Sequence, residues 1–399
     1  MIADGDFAEH DVLLEYYLRM MPFLTARAAA LLPNATPGML WMTETATVFG
    51  SFSESDYGCG ARPADLPPWL QENPYIYLDR FGDGPTGELG LMILDRFSYD
   101  GDAAALAARL PWIVGALDFF AYIFPLRDAA GRVLIHPSQA LETLWCPWPV
   151  SAAECVTGDA PTIAVVTRLL QRALAEVPAA LVAPATRAHW AALLAAMPPL
   201  PLTADGAALA PAQAHANKTH NSESVALYAV HPARVFSAAR ALAGGGPALA
   251  PAIAAYLADP NASGAAGNDG WHQGAQLAAL LGLRNATAAR LAARAAFRKP
   301  LPGFRFDFFS GEEGMGDEAA AEVFSNLQAA LQLALLQPAD DADGSAWLLP
   351  AWPCGVDVSF RLRAPRNTTV TVAWVNGTLA ALEVDPPERA SFVHLAPGC

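Results

Sequence analysis

Thr369-Val370-Thr371-Val372-Ala373-Trp374-Val375 alternates along its length, and Asn376-Gly377 follows at once. A period of two sends every second side chain to the same face of a strand. Asn-Gly tolerates positive φ at both central turn positions, so it closes a two-residue hairpin. The return strand runs through Val384, and Val356-Asp357-Val358-Ser359-Phe360-Arg361-Leu362 alternates ahead of the first. An antiparallel sheet is expected after Pro338. So small a sheet buries little by itself, so it is expected to lean on a helical body or on another sheet.

Before Gln337-Pro338 the texture is different. Leu13, Leu14, Tyr17, Leu18 and Met21 recur at steps of three and four, the spacing of a buried helix face. Helices are predicted at 86–96, 103–125, 160–176, 185–196, 233–243, 248–257, 271–282, 286–297 and 317–337. Tyr99-Asp100-Gly101-Asp102, Gly244-Gly245-Gly246-Pro247 and Leu281-Gly282-Leu283-Arg284-Asn285 read as connectors between them. No repeat of fixed length stands out, which argues against a solenoid. Hairpins with unequal loops fit a closed helical toroid. The expected fold is mainly α: a toroid over residues 1–338, then a small antiparallel β domain over 339–399.

Composition narrows the function classes. The chain has 399 residues, 53% of them hydrophobic, which is enough to bury a sizeable core. Its net charge of −15 repels a phosphate backbone, so no nucleic-acid partner is expected. No uninterrupted apolar run of about 18 residues occurs, and no membrane span is expected. Met1-Ile2-Ala3-Asp4-Gly5-Asp6 lacks the basic and apolar regions of a signal peptide. Six Asn-X-Ser/Thr sequons nevertheless occur, at Asn34, Asn217, Asn261, Asn285, Asn367 and Asn376. That density points to the secretory pathway, and the protein is expected to be secreted. Five cysteines allow two disulfides with one thiol over; Cys146 and Cys155, close in sequence, are the preferred pair. No metal-ligand spacing, P-loop, dinucleotide fingerprint or nucleophile elbow appears, and no cofactor is expected.

The segment richest in chemistry is His136-Pro137-Ser138-Gln139-Ala140-Leu141-Glu142-Thr143-Leu144-Trp145. A carboxyl set among Leu141, Leu144 and Trp145 is expected to lose hydration, which favours its protonated form and suits a general acid. The alternative is a carboxylate at a helix start, satisfied by backbone amides. Glu44, within Trp41-Met42-Thr43-Glu44-Thr45, reads either as a ligand-binding carboxylate or as a buried loop anchor. Trp41, Trp145 and Trp271 are either stacking platforms for a ligand ring or core side chains.

Pro137-Ser138-Gln139-Ala140-Leu141-Glu142 resembles the Pro-Ser-x-x-x-Glu stretch of glycoside hydrolase family 95, the α-L-fucosidases and related α-L-galactosidases. Met1-Ile2-Ala3-Asp4-Gly5-Asp6-Phe7, Asn268-Asp269-Gly270-Trp271, Leu348-Leu349-Pro350-Ala351-Trp352-Pro353 and Arg363-Ala364-Pro365-Arg366-Asn367-Thr368-Thr369 resemble stretches of family-95-like proteins. The order is collinear over essentially the whole chain. The resemblance implies an (α/α)6 toroid, inverting hydrolysis, and Glu142 as general acid. Counting back from Leu335-Leu336-Gln337 places the family's general-base Asp at Glu322, a side chain one methylene longer. Asn326, one helical turn on, would orient a water or a sugar hydroxyl. Asn221-Ser222-Glu223-Ser224-Val225-Ala226-Leu227-Tyr228 resembles a segment lining the sugar pocket, which implies ring contacts by Asn221 and Glu223 beside Trp271. The family's water-holding asparagines fall just upstream of the stretch matching Met1–Asp6, so the resemblance implies the C-terminal part of a longer catalytic region. The alternative is a catalytically inactive member, a structural or carbohydrate-binding glycoprotein that keeps the toroid and has lost the chemistry.

Overall fold

The computed structural model describes residues 2–41, 85–141, 143–144, 155–216, 221–264, 272–296 and 322–398. The chain is mainly helical, with a small β region at its C-terminal end. Contacts divide it into two compact units. One comprises Asp6–Thr203 and Ala210–Ala233; the other comprises Met1–Gly5, Ala204–Leu209 and Arg234–Cys399.

In the first unit, α1 (Phe7–Leu18) and α2 (Met21–Leu31) replace the single periodic face read from Leu13 to Met21. The chain breaks at Arg19–Met20, and Leu14, Met20 and Leu24 are buried. Helices α3 (Pro85–Asp100) and α4 (Ala103–Ile123) flank Gly101, whose φ of 74° makes the tight turn. Asp102 caps α4, accepting from the backbone N–H groups of Ala104 and Ala105 at 2.9 Å each. By length and composition α4 could cross a membrane, but Leu110, Trp112, Ile113, Leu117, Phe119 and Phe120 are buried within the protein. Gly115 lets the Gly38–Leu40 segment lie directly on α4: a Cβ there would meet the Gly38 carbonyl oxygen at 2.3 Å.

Strand β1 (Thr157–Asp159) leads into α5 (Ala160–Glu176), which is followed by α6 (Pro184–Ala196). β1 pairs antiparallel with β2 (Ala212–Ala214). Charged groups lock the helices together. Arg172 on α5 is 1% exposed and pairs with Asp95 on α3 and with Glu176, the latter at 2.6 Å. Asp11 on α1 receives Arg96 of α3 at 3.0 Å and Arg109 of α4 at 2.9 Å. Burial works to raise the Asp11 carboxyl, but the two guanidiniums outweigh it and hold it below its usual range.

The second unit carries α7 (Ala238–Leu242), α8 (Ala250–Ala258), α9 (Pro260–Ser263), α10 (Gly274–Leu280), α11 (Arg284–Ala296) and α12 (Glu322–Leu335). The helix predicted over 233–243 shrinks to α7, because Ser237 caps it by accepting from the Arg240 N–H. Helices α10, α11 and α12 pack on one another, and Ala279 of α10 and Ala334 of α12 share a small buried cluster with Ala351. Buried Gln337 ties them down: its amide nitrogen donates to the Ala279 and Leu333 carbonyls at 2.6 and 2.9 Å.

Two three-stranded sheets complete this unit. β3 (Leu336–Pro338), β4 (Ala346–Leu348) and β8 (Val393–Leu395) form one, with β4 and β8 parallel. β5 (Val358–Ala364), β6 (Thr368–Val375) and β7 (Thr378–Asp385) form the predicted antiparallel meander. Asn376 and Gly377 turn between β6 and β7 with φ of 50° and 72°. The inner face of the meander, Leu362, Val370, Val372 and Trp374, packs with Leu335, Leu336 and Leu348. The contacts therefore do not divide at Pro338: the β region shares its core with the end of α12.

Candidate functional site

Residues 138–141 and 143–144 are fixed from several sides within the first unit. Ser138 and Val156 exchange two backbone hydrogen bonds of 2.9 Å, and Ala140 and Leu144 exchange another two of 2.9 Å. Ala140, Leu141 and Leu144 pack with Val156, Ala212 and Val225. Leu141 sits in the left-handed region at φ 51°, uncommon for a side chain with a Cβ, and is 2% exposed. The Thr143 hydroxyl donates to Glu223 Oε2 at 2.8 Å. Glu223 precedes a 3-10 turn, Val225–Ala229, that packs on α5. The Ser138–Leu144 segment and the Asn221–Tyr228 segment thus meet through residues 80 apart in sequence.

Beneath them lies a carboxyl that the sequence reading missed. Asp159 is wholly buried; its Oδ2 accepts from Ser138 Oγ at 2.5 Å and its Oδ1 from the Thr162 N–H at 2.7 Å. Burial pushes this carboxyl above the usual range, against the pull of those hydrogen bonds. The available signal was Asp159-Ala160-Pro161, an N-cap followed by proline in the first helical turn. A second missed residue is Gln139. It is 1% exposed, and its amide nitrogen and oxygen both lack hydrogen-bond partners among the described residues.

The other expected residues are distributed as follows. Trp41 is 1% exposed; its ring stacks on Phe119 at 6.3 Å and lies 4.2 Å from the Arg27 guanidinium, so the structure gives it a packing role. Asn221 is half-buried, its Oδ1 accepting from the Ser222 N–H at 2.7 Å. In the second unit, Glu322 and Asn326 lie one turn apart on α12. Asn326 Oδ1 accepts from the buried Gln276 amide at 2.8 Å. Glu142, Glu44, Trp145, Trp271, Cys146 and Asn217 lie outside the described residues, as does the side chain of Glu322.

Cys155 and Cys354 are each disulfide-bonded. Asn376 is an exposed sequon at a hairpin tip, and Asn34 is exposed at φ 62°. Asn285 is exposed, but its sequon threonine, Thr287, is fully buried. Asn261 is half-buried, and Asn367 Oδ1 accepts from Arg363 at 2.6 Å. Among the described residues no cluster of three His, Cys, Asp or Glu side chains is placed to hold a metal.

No family model and no curated protein matches the chain at a significant level.

Proposed function

We propose that this protein is a secreted glycoside hydrolase of the family-95 type, built on an (α/α)6 toroid, that removes a terminal α-L-fucosyl or α-L-galactosyl residue from a carbohydrate with inversion. The observation that carries the reading is the 2.8 Å hydrogen bond from Thr143 to Glu223. It joins the two segments that the resemblance assigns to the general acid and to the sugar pocket. Disulfide-bonded Cys155 and Cys354 and the exposed sequon at Asn376 support an oxidising, secretory route.

Single displacement with inversion needs a protonated carboxyl at the leaving oxygen. It also needs an ionised carboxylate about 6.5–9.5 Å away, with a water between. Glu142 is the acid in this reading, and Glu322 the base that draws a proton from that water. Asn326 orients the water or a ring hydroxyl, while Glu44, Asn221, Glu223, Trp145 and Trp271 grip the sugar.

The test is release of monosaccharide from aryl and methyl α-L-fucosides and α-L-galactosides by wild type and Glu142→Gln. Loss of a general acid is expected to lower kcat about 10²–10⁴-fold. The methyl glycoside suffers more, because its alkoxide leaves poorly without a proton. Equal turnover in both proteins rejects the assignment. Glycan binding without turnover in either one marks a carbohydrate-binding protein instead.

A further inference from the structure

Gln139 is buried in an arrangement that a folded chain normally avoids. Among the described residues, no other side chain has two buried polar atoms that both lack partners. An amide taken from water and left unpaired is destabilising, and buried polar groups are almost always satisfied. The backbone that carries it is fixed. Its neighbours Ser138 and Ala140 are each clamped by paired backbone hydrogen bonds, to Val156 and to Leu144. Ser138 is also held through its hydroxyl by Asp159, and Thr143 through its own by Glu223. The backbone is thus held on both sides of a side chain whose polar end is unsatisfied.

We propose that the Gln139 amide is a ligand-binding group on the floor of the site, held ready for a polyhydroxylated ligand. A hydroxyl both donates and accepts, so two neighbouring hydroxyls satisfy the carbonyl oxygen and the NH₂ together. A charged ligand group would satisfy one end only. At 1% exposure the amide meets a hydroxyl that is itself desolvated on binding, which makes the contact specific for a sugar bearing it. The naming of a sugar rests on the hydrolase reading; the unsatisfied amide does not.

Gln139→Met and Gln139→Leu replace the amide by apolar side chains of similar volume. Two readouts are needed: the unfolding midpoint without ligand, and binding of L-fucose and L-galactose by calorimetry. A binding group held unsatisfied predicts that the sugar-free variants melt about 2–4 °C higher than wild type. It also predicts sugar binding at least tenfold weaker. If both variants melt lower, the amide has a structural partner and the inference fails. It fails as well if they bind sugar like wild type, or if wild type binds neither sugar. The hydrolase reading is judged separately, by the turnover of wild type against Glu142→Gln.

Discussion

Asp159 sets an acidic side chain against an environment without water. Its carboxyl is fully buried, and burial raises its pKa above the reference value of 3.8. A raised carboxyl binds its proton more tightly in the folded chain than in the unfolded one. Folding stability therefore falls as pH rises from about the unfolded value through the folded one, and stays lower above it. Asn at this position keeps the cap on Thr162 and a hydrogen bond to Ser138, yet never ionises. Urea unfolding of Asp159→Asn and wild type, taken at steps from pH 4 upward, is expected to show a gap that widens in favour of Asn. A gap independent of pH would mean that Asp159 ionises as easily folded as unfolded.

At the scale of elements, the first unit is joined by ion pairs as well as by apolar contact. Arg172 bridges α5 to α3 through Asp95 while also holding Glu176 on its own helix. Removing the guanidinium leaves two carboxylates in a largely desolvated place, so Arg172→Met is expected to cost about 3–5 kcal/mol. Adding Asp95→Asn and Glu176→Gln removes the stranded charges and is expected to recover most of that loss. Denaturant melts of the single and triple variants distinguish this from simple loss of packing, which the triple variant would not repair. Helix α5 matched its predicted bounds of 160–176 for a local reason. Asp159 caps its start, and its apolar face is continuous. Helix α7, by contrast, fell short of its pattern because Ser237 starts it late.

For the whole molecule, the boundary expected at Pro338 is a change of texture rather than of core. Leu335 and Leu336 belong to the same buried cluster as Leu362, Val370, Val372 and Trp374. A chain ending at residue 338 would expose the lower half of that cluster. It is expected to aggregate or to lose the fixed packing of residues 234–338, measured by soluble yield and near-ultraviolet circular dichroism against the full chain. A soluble, cooperatively folded 1–338 fragment would show the β region to be dispensable.

Local chemistry was enough to read the helices with strong caps, the β5–β6–β7 meander and its Asn376-Gly377 turn. Each is set by side chains within a few residues of one another. The resemblance at Pro137–Glu142 marked one stretch of the candidate site, and the Asn221–Glu223 segment marked another. Sequence could not bring them together, since the Thr143–Glu223 bond spans 80 residues. Nor could it reveal that Asp159 accepts from Ser138, that Trp41 packs on Phe119 and Arg27, or that Gln139 is buried without partners among the described residues. Those are properties of neighbours supplied by distant segments, as are the strands β3, β4 and β8, whose three residues each carry too little pattern to read. Local interactions chose the elements; only tertiary contacts decided which polar groups left water and what met them there.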